Sequence, residues 1–286
     1  MPIHATAVGS EIGPYEKDVT VRSSLAYAAG LGETADVYFD DARPEGVYAP
    51  PMMVIPLEWP ASRDIRETPE FGATDEERRR VVHAAQDTQI HEPIRPGMKT
   101  RCLGRLVAVK RIKPGTMTIT RLMLEADDGT QLATSYSSAI YRGIDIEGED
   151  NIEDEPPAWP KLIPAGDWTE TTVPIAREMP HIYTECADIW SAIHTERAVA
   201  LAAGLPDIIL HGTATLALGI KEIVAHHLHD QPVRLKRFSC RFTGMVIPGT
   251  DIQVRHAGAQ NGALFEVINT DGAKAISQGL ALFGDS

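Results

Sequence analysis

The stretch YTECADIWSAIHTERAVALAAGLPDIILHG, residues 183–212, runs directly into TATLALGIKEIVAHHL, residues 213–228. The first string sets His194 behind an irregular ECAD-IWSA segment and opens a helix at Thr195. Apolar residues then recur at helical spacing, Gly204 supplies a stop, and the string closes on the pair His211-Gly212. The second string is apolar around most of its circumference for three turns, which is the pattern of a helix buried in a curved sheet.

Working outward, the chain echoes itself. IRPGM (residues 94–98) and VIPGT (residues 246–250) each open a run of alternating, strand-like segments. Each run reaches an Asp-Gly pair, Asp128-Gly129 and Asp271-Gly272, a strong hairpin signal between apolar alternations. TQLATSYSSAIY (130–141) and AKAISQGLALF (273–283) then read as closing strands, and the first run holds a further Pro-Gly at 114–115. The front ends align without gaps at an offset of 156 residues, Tyr27 falling on Tyr183. Each half therefore reads as a helical segment followed by an antiparallel meander, an α+β architecture repeated twice. The expected boundaries are residues 1–143 and 181–286, joined by 144–180, whose acidic, Pro-rich IDIEGEDNIEDEPPAWP reads as a linker.

The 286 residues suffice for two domains of ordinary size. A net charge of −13, from 27 basic and 40 acidic residues, disfavours nucleic acid as a partner. Two stretches are locally basic, 95–113 and 234–241. They read as solvated strand faces, or as contacts to a polyanionic small molecule. No apolar run reaches the length of a membrane span, and the first residues lack a secretory pattern. Cys102, Cys186 and Cys240 are odd in number and far apart, with neither a disulfide framework nor a zinc spacing, so a cytoplasmic location is expected. No dinucleotide, P-loop, zincin or serine-elbow motif is present.

These residues resemble the MaoC-like (R)-specific enoyl-CoA hydratase/dehydratase family, in its form with two fused hotdog folds. The signature of that family is Gly-Asp-x-Asn-Pro-aliphatic-His, an alanine-rich helix and a downstream aliphatic-His-Gly. Ile193-His194 matches the first end, residues 198–203 the helix, and Leu210-His211-Gly212 the last element. Counting back from His194, the Pro falls on Ala192, the Asn on Ser191 and the catalytic Asp on Ile189. Asp188 is the carboxylate close by, one place earlier. In the first half the aligned positions hold Glu33 and Tyr38, so that half lacks the histidine.

The resemblance implies a tandem hotdog fold, a coenzyme A or acyl-carrier-protein thioester as substrate, no separate cofactor, and a homodimer. It also implies reversible addition of water. That chemistry needs a base, an acid at the α-carbon and a donor for the developing enolate oxygen. His194 fits the base, being mostly neutral at physiological pH. Gly212 fits the oxyanion donor, since its N–H lies at a helix start where amides are unpaired. Asp188 is either the displaced catalytic carboxylate or a solvated surface charge, because a one-residue shift in a regular strand would turn it to the other face.

Tyr183, Trp190, Ser191, His211 and Thr213 are the candidate substrate-binding residues. Four also have a plainer reading: Tyr183 and Trp190 as core or pocket wall, His211 as a cap or hydrogen-bonding group at the helix mouth, and Thr213 as a backbone partner. Cys186 reads as a small apolar residue, and Glu33 as a surface group of the degenerate half. His226, His227 and His229 sit at a helix C-terminus, where such side chains suit the dipole, and no metal is expected there. Residues 41–60 are expected to help line an acyl pocket. Two other readings stay open. One is a specialised lyase, isomerase or biosynthetic dehydratase using His194 without the usual Asp. The other is a non-catalytic acyl-CoA-binding protein.

Overall fold

The computed structural model describes residues 2–284. In chain order the main elements are β1 (Glu11–Asp18), α1 (Val21–Gly30), α2 (Val54–Asp64), β2 (Val81–Ile90), β3 (Lys99–Ile112), β4 (Gly115–Ala126), β5 (Gln131–Arg142), β6 (Thr169–Pro174), α3 (Met179–Ala187), α4 (Arg197–Ala202), α5 (Gly212–Leu228), β7 (Leu235–Phe242), β8 (Asp251–Ala259), β9 (Gly262–Ile268) and β10 (Lys274–Phe283). They form two compact units. The first takes the chain through Asp18, Leu57–Glu92 and Lys99–Pro160; the second takes Val19–Pro56, Pro93–Met98 and the chain from Lys161 onward.

The first unit holds an antiparallel sheet in the order β1-β3-β4-β5-β2. The second holds β6-β8-β9-β10-β7, also antiparallel. Taken strand by strand, the two orders are the same, so the repeat read from the sequence is a repeat of topology. The Asp-Gly pairs turn where expected: Gly129 (φ +88) and Gly272 (φ +77) adopt the left-handed conformation that glycine tolerates best.

Two expectations change. The stretch 144–180 is not one structureless linker: its TETTVP segment is β6, paired residue for residue with β8. Its three threonines and Val173, β-branched and exposed or half-exposed, suit an edge strand. The domain boundary is also discontinuous. Residues 19–56 leave the half they belong to in sequence and join the second unit. There α1, closed at its start by a Thr20–Ser23 capping box, packs beside α3. The repeat-related Tyr27 and Tyr183 meet with ring centroids 6.0 Å apart.

In the second unit α5 is buried along most of its length, from Ala214 to Leu228. A Cβ on Gly219 would sit 3.1 Å from the Phe265 ring, so the helix rests directly on β9. In the first unit α2 fills the equivalent place over a shorter span, interrupted by Pro60. The Ala61 methyl lies 3.2 Å from where a Cβ on Gly104 would project. The same helix buries Glu58 (1% exposed), neither of whose carboxylate oxygens has a hydrogen-bond partner. Among the described residues, no helix is long and apolar enough to cross a membrane.

Burial pushes the Glu58 carboxyl up to about 8; the nearby Ser135 hydroxyl offsets this without meeting hydrogen-bond geometry. An acid raised on folding contributes its full stability below its unfolded pKa, near 4.3, and loses it as the pH climbs. Chemical denaturation of the wild type is therefore expected to show stability falling by up to about 1.4 kcal/mol per pH unit between about pH 4.3 and 8. Glu58→Gln removes that slope, and an unchanged slope in the variant would assign it to other groups.

Candidate functional site

His194 ends a short 3₁₀ turn, Ala192–His194, that follows the extended Ser191. The turn is closed by the His194 N–H on the Ser191 carbonyl (3.0 Å) and the Glu196 N–H on the Ala192 carbonyl (2.7 Å). The side chain is half-buried, and its Nδ1 lies 2.8 Å from the Ile209 carbonyl oxygen. A carbonyl only accepts, so Nδ1 carries the proton and Nε2 keeps its lone pair. Burial lowers the His194 pKa to about 4, with the bond to Ile209 working against the fall. The ring is thus an uncharged base of fixed tautomer across the physiological range.

The Ile209 carbonyl is placed by the strand-like run 208–211. The Leu210 N–H bonds the Val246 carbonyl at 2.8 Å, which pins this run to the loop before β8. The chain then turns into α5 with His211 as N-cap residue and Gly212 as first helical residue. In that first turn N–H groups have no intrahelical acceptor and the helix dipole favours negative charge. A Cβ at position 212 would lie 3.1 Å from the Phe242 ring, a tight contact that glycine avoids.

His211 is 2% exposed and its ring stacks on that of His194, centroids 3.7 Å apart and planes 24° from parallel. Of its two plainer readings, cap or hydrogen-bonding group, the structure shows the second: the side chain makes no cap hydrogen bond. Its Nε2 instead lies 3.3 Å from the Thr184 hydroxyl. Burial first, then the neighbouring His194, hold its pKa down to about 2. Tyr183, 1% exposed, donates its hydroxyl to Thr213 Oγ1 at 3.1 Å and has its ring 5.0 Å from His211. Burial raises that phenol to about 12.

The structure thus brings together His194, His211, Tyr183, Thr213 and Gly212, with Ser191 half-buried at the base of the turn. It places Trp190 at 60% exposure. Asp188 is exposed as well. Helix α3 runs through Glu185, Cys186 and Ala187, further than the irregular segment read from the sequence, and Asp188 is its left-handed C-cap (φ 53, ψ 39). Its neighbours Ala187 and Ile189 take the buried positions, at 0% and 3% exposure. Glu33, expected at the surface, is only partly exposed, and burial raises its pKa to about 7.

Sequence reasoning did not find Thr184, the Ile209 carbonyl or Tyr27. Their roles come from contacts that no local spacing announces. In the basic stretch 95–113, Arg101, Arg105 and Lys110 pair with Glu125, Glu153 and Glu155, which fits the solvated-face reading.

Residues 167–278 match the family model described as a MaoC-like domain, and residues 6–134 match the FAS1-like dehydratase domain region. The chain is 25% identical over 266 residues to an enoyl-CoA hydratase of Mycobacterium tuberculosis, covering 89% of each. Its fold resembles the crystal structure of a MaoC-like dehydratase from Phytophthora capsici, with a TM-score of 0.84 at 20% identity over 97% of this chain and 96% of that one. It also resembles a Mycobacterium tuberculosis protein described as a double hotdog fold, with a TM-score of 0.63 at 12% identity over 97% and 96% of the two chains. The α+β fold is a double hotdog.

The exposed, left-handed Asp188 gives a test. Asp188→Gly is expected to raise stability by about 0.5–1 kcal/mol, since glycine adopts this conformation without the Cβ penalty. Turnover is expected to stay at the wild-type level, because Asp188 is exposed and stands outside the His194–His211 stack. Urea unfolding and an enoyl-thioester assay on the same sample read both, and a large loss of turnover would restore the carboxyl to the chemistry.

Proposed function

We propose that this chain is a MaoC-like dehydratase, supported by the match of residues 167–278 to the MaoC-like domain and by the enoyl-CoA hydratase relative, and that His194 and Gly212 carry its acyl-thioester hydratase/dehydratase activity. The observation that supports the assignment most is the His194 tautomer. The Ile209 carbonyl holds the Nδ1 proton, which leaves Nε2 as a free base in a half-buried site.

In the hydration direction the thioester carbonyl oxygen faces the Gly212 N–H. His194 Nε2 takes a proton from water as the water oxygen bonds to the β-carbon. The electron pair of the double bond moves to the carbonyl oxygen, where the amide and the helix start stabilise the enolate. One such donor is worth about 3–4 kcal/mol in other enzymes. The imidazolium then returns its proton to the α-carbon, so hydroxyl and hydrogen are both delivered and His194 is neutral again. Dehydration runs the same steps backwards. The buried Tyr183–Thr213 bond steadies the first turn of α5, and hence the amide.

Ile189, apolar and buried where the family resemblance puts a carboxylate, favours a second reading with the same groups. In it His194 moves a proton on an unusual acyl group without net water addition, as a lyase or isomerase does. The exposed Trp190 and residues 41–60 are proposed to meet the acyl portion, and coenzyme A or an acyl carrier protein to supply the thioester. A homodimer in the cytoplasm completes the reading, supported by the family resemblance and by the sparse, unpatterned cysteines.

His194→Ala is expected to lower kcat by about 10²–10⁴, the range for removing a general acid–base group. Because the free base is the active form and its pKa is lowered, wild-type kcat/KM is expected to hold its plateau from neutral pH downward and to fall only as the pH drops through about 4. Loss of enoyl-thioester absorbance across a pH series measures both. An acid limb at the ordinary imidazole value, near 6.5, would contradict the buried-base account.

A further inference from the structure

We propose that His211 is a positioning residue for His194: its buried ring is the plate that fixes the plane of the catalytic imidazole and stays in face contact with it when it takes a proton. The inference rests on the assignment of His194 as the proton-transfer group.

The two rings differ in how firmly they are held. His194 sits on a three-residue 3₁₀ turn and is tied through its side chain to one carbonyl, at Nδ1. A single hydrogen bond along that direction leaves the ring free to turn about it, and any turn sweeps Nε2 and the face it presents. His211 has no such freedom. Its backbone forms the entry to α5, its Nε2 meets the Thr184 hydroxyl at 3.3 Å, and its ring lies 5.0 Å from that of Tyr183. Tyr183 is itself anchored on Thr213. A stack at 3.7 Å and 24° therefore transfers the rigidity of a buried ring to a half-buried one.

The contact also has the right electrostatic sense. The face of an uncharged aromatic ring carries partial negative charge and attracts a cation lying over it. Two charged imidazoles this close would repel, so the pair takes up one proton and not two. His211 is the less exposed of the two, and His194 alone has a carbonyl, that of Ile209, to accept from its Nδ1 proton, so the proton belongs to His194. The titratable groups packed around the pair are few. Tyr183 faces His211 with its phenol held neutral; His181 bonds the Thr195 carbonyl at 3.1 Å; Asp188 and Glu196 are exposed. A helix N-cap has no need of an imidazole that makes no cap bond. The stack gives the ring at this position a purpose that capping does not.

The test compares His211→Ala and His211→Phe with wild type, after thermal melts establish that each is folded. In His211→Ala the plate is gone. kcat is expected to fall by about 100-fold with KM nearly unchanged, the order of loss that a small misplacement of a reacting group brings. The acid limb of kcat/KM is expected to move up towards 6.5 as water reaches the ring. His211→Phe keeps the plate and loses the imidazole's polar contacts, the Thr184 bond among them, so its kcat is expected within about tenfold of wild type, less than one such misplacement costs, with the limb still low. Wild-type kcat and limb in folded His211→Ala would overturn the proposal. So would a folded His211→Phe as impaired as the alanine variant. Should His211→Ala not fold, His211→Phe and a histidine NMR titration of the wild type decide. The expected result is one imidazole of the pair taking a proton while the other stays neutral; two independent titrations near 6.5 would overturn it. Full turnover in His194→Ala would be a different failure, that of the His194 assignment, and the titration separates the two.

Discussion

The burial of one helix organises everything that matters in this protein. α5 is apolar nearly all round and lies against its sheet so closely that a Cβ on Gly219 would press on the Phe265 ring at 3.1 Å. A helix placed that way has a fixed start. Its first residue, Gly212, presents an amide with no intrahelical partner, and the residue before it, His211, is carried into the core. The preceding run, tied to the Val246 carbonyl, then offers Ile209 to His194. The proposed base, plate and oxyanion donor all follow from the way one helix enters one sheet.

On the proposed assignment, that arrangement stands in for the carboxylate implied by the family resemblance. An acid beside a histidine can orient it, raise its basicity and share the handling of water. Here orientation comes from a carbonyl and a stacked ring, both uncharged. The cost is a weaker base, since burial with no negative partner lowers the proton affinity of His194. The gain is an imidazole that is never protonated in advance at physiological pH.

Much of the fold was legible because its signals are local. An Asp-Gly pair between alternating strands, or sixteen residues of helical apolar pattern, states its structure within a few positions. The motif residues His194 and His211-Gly212 were legible for the same reason. What could not be read depends on distance in sequence. Residues 19–56 carry an ordinary helix, and nothing within them says that they join the unit built by the other half. The Thr184–His211 bond and the Tyr27–Tyr183 contact are of this kind. Asp188 stood open between a catalytic carboxylate and a surface charge; the segment read as irregular continues α3 as far as Ala187, and Asp188 is its exposed, left-handed C-cap.

The central claim is that this site adds water to an enoyl thioester through one neutral histidine. The most direct measurement is incubation of the purified chain with an enoyl-CoA in ¹⁸O-labelled water, followed by mass spectrometry of the product. The account predicts a 3-hydroxyacyl-CoA carrying one labelled oxygen, formed at a rate that disappears in His194→Ala. Turnover to an unlabelled isomer, or labelled product undiminished by loss of His194, would contradict it.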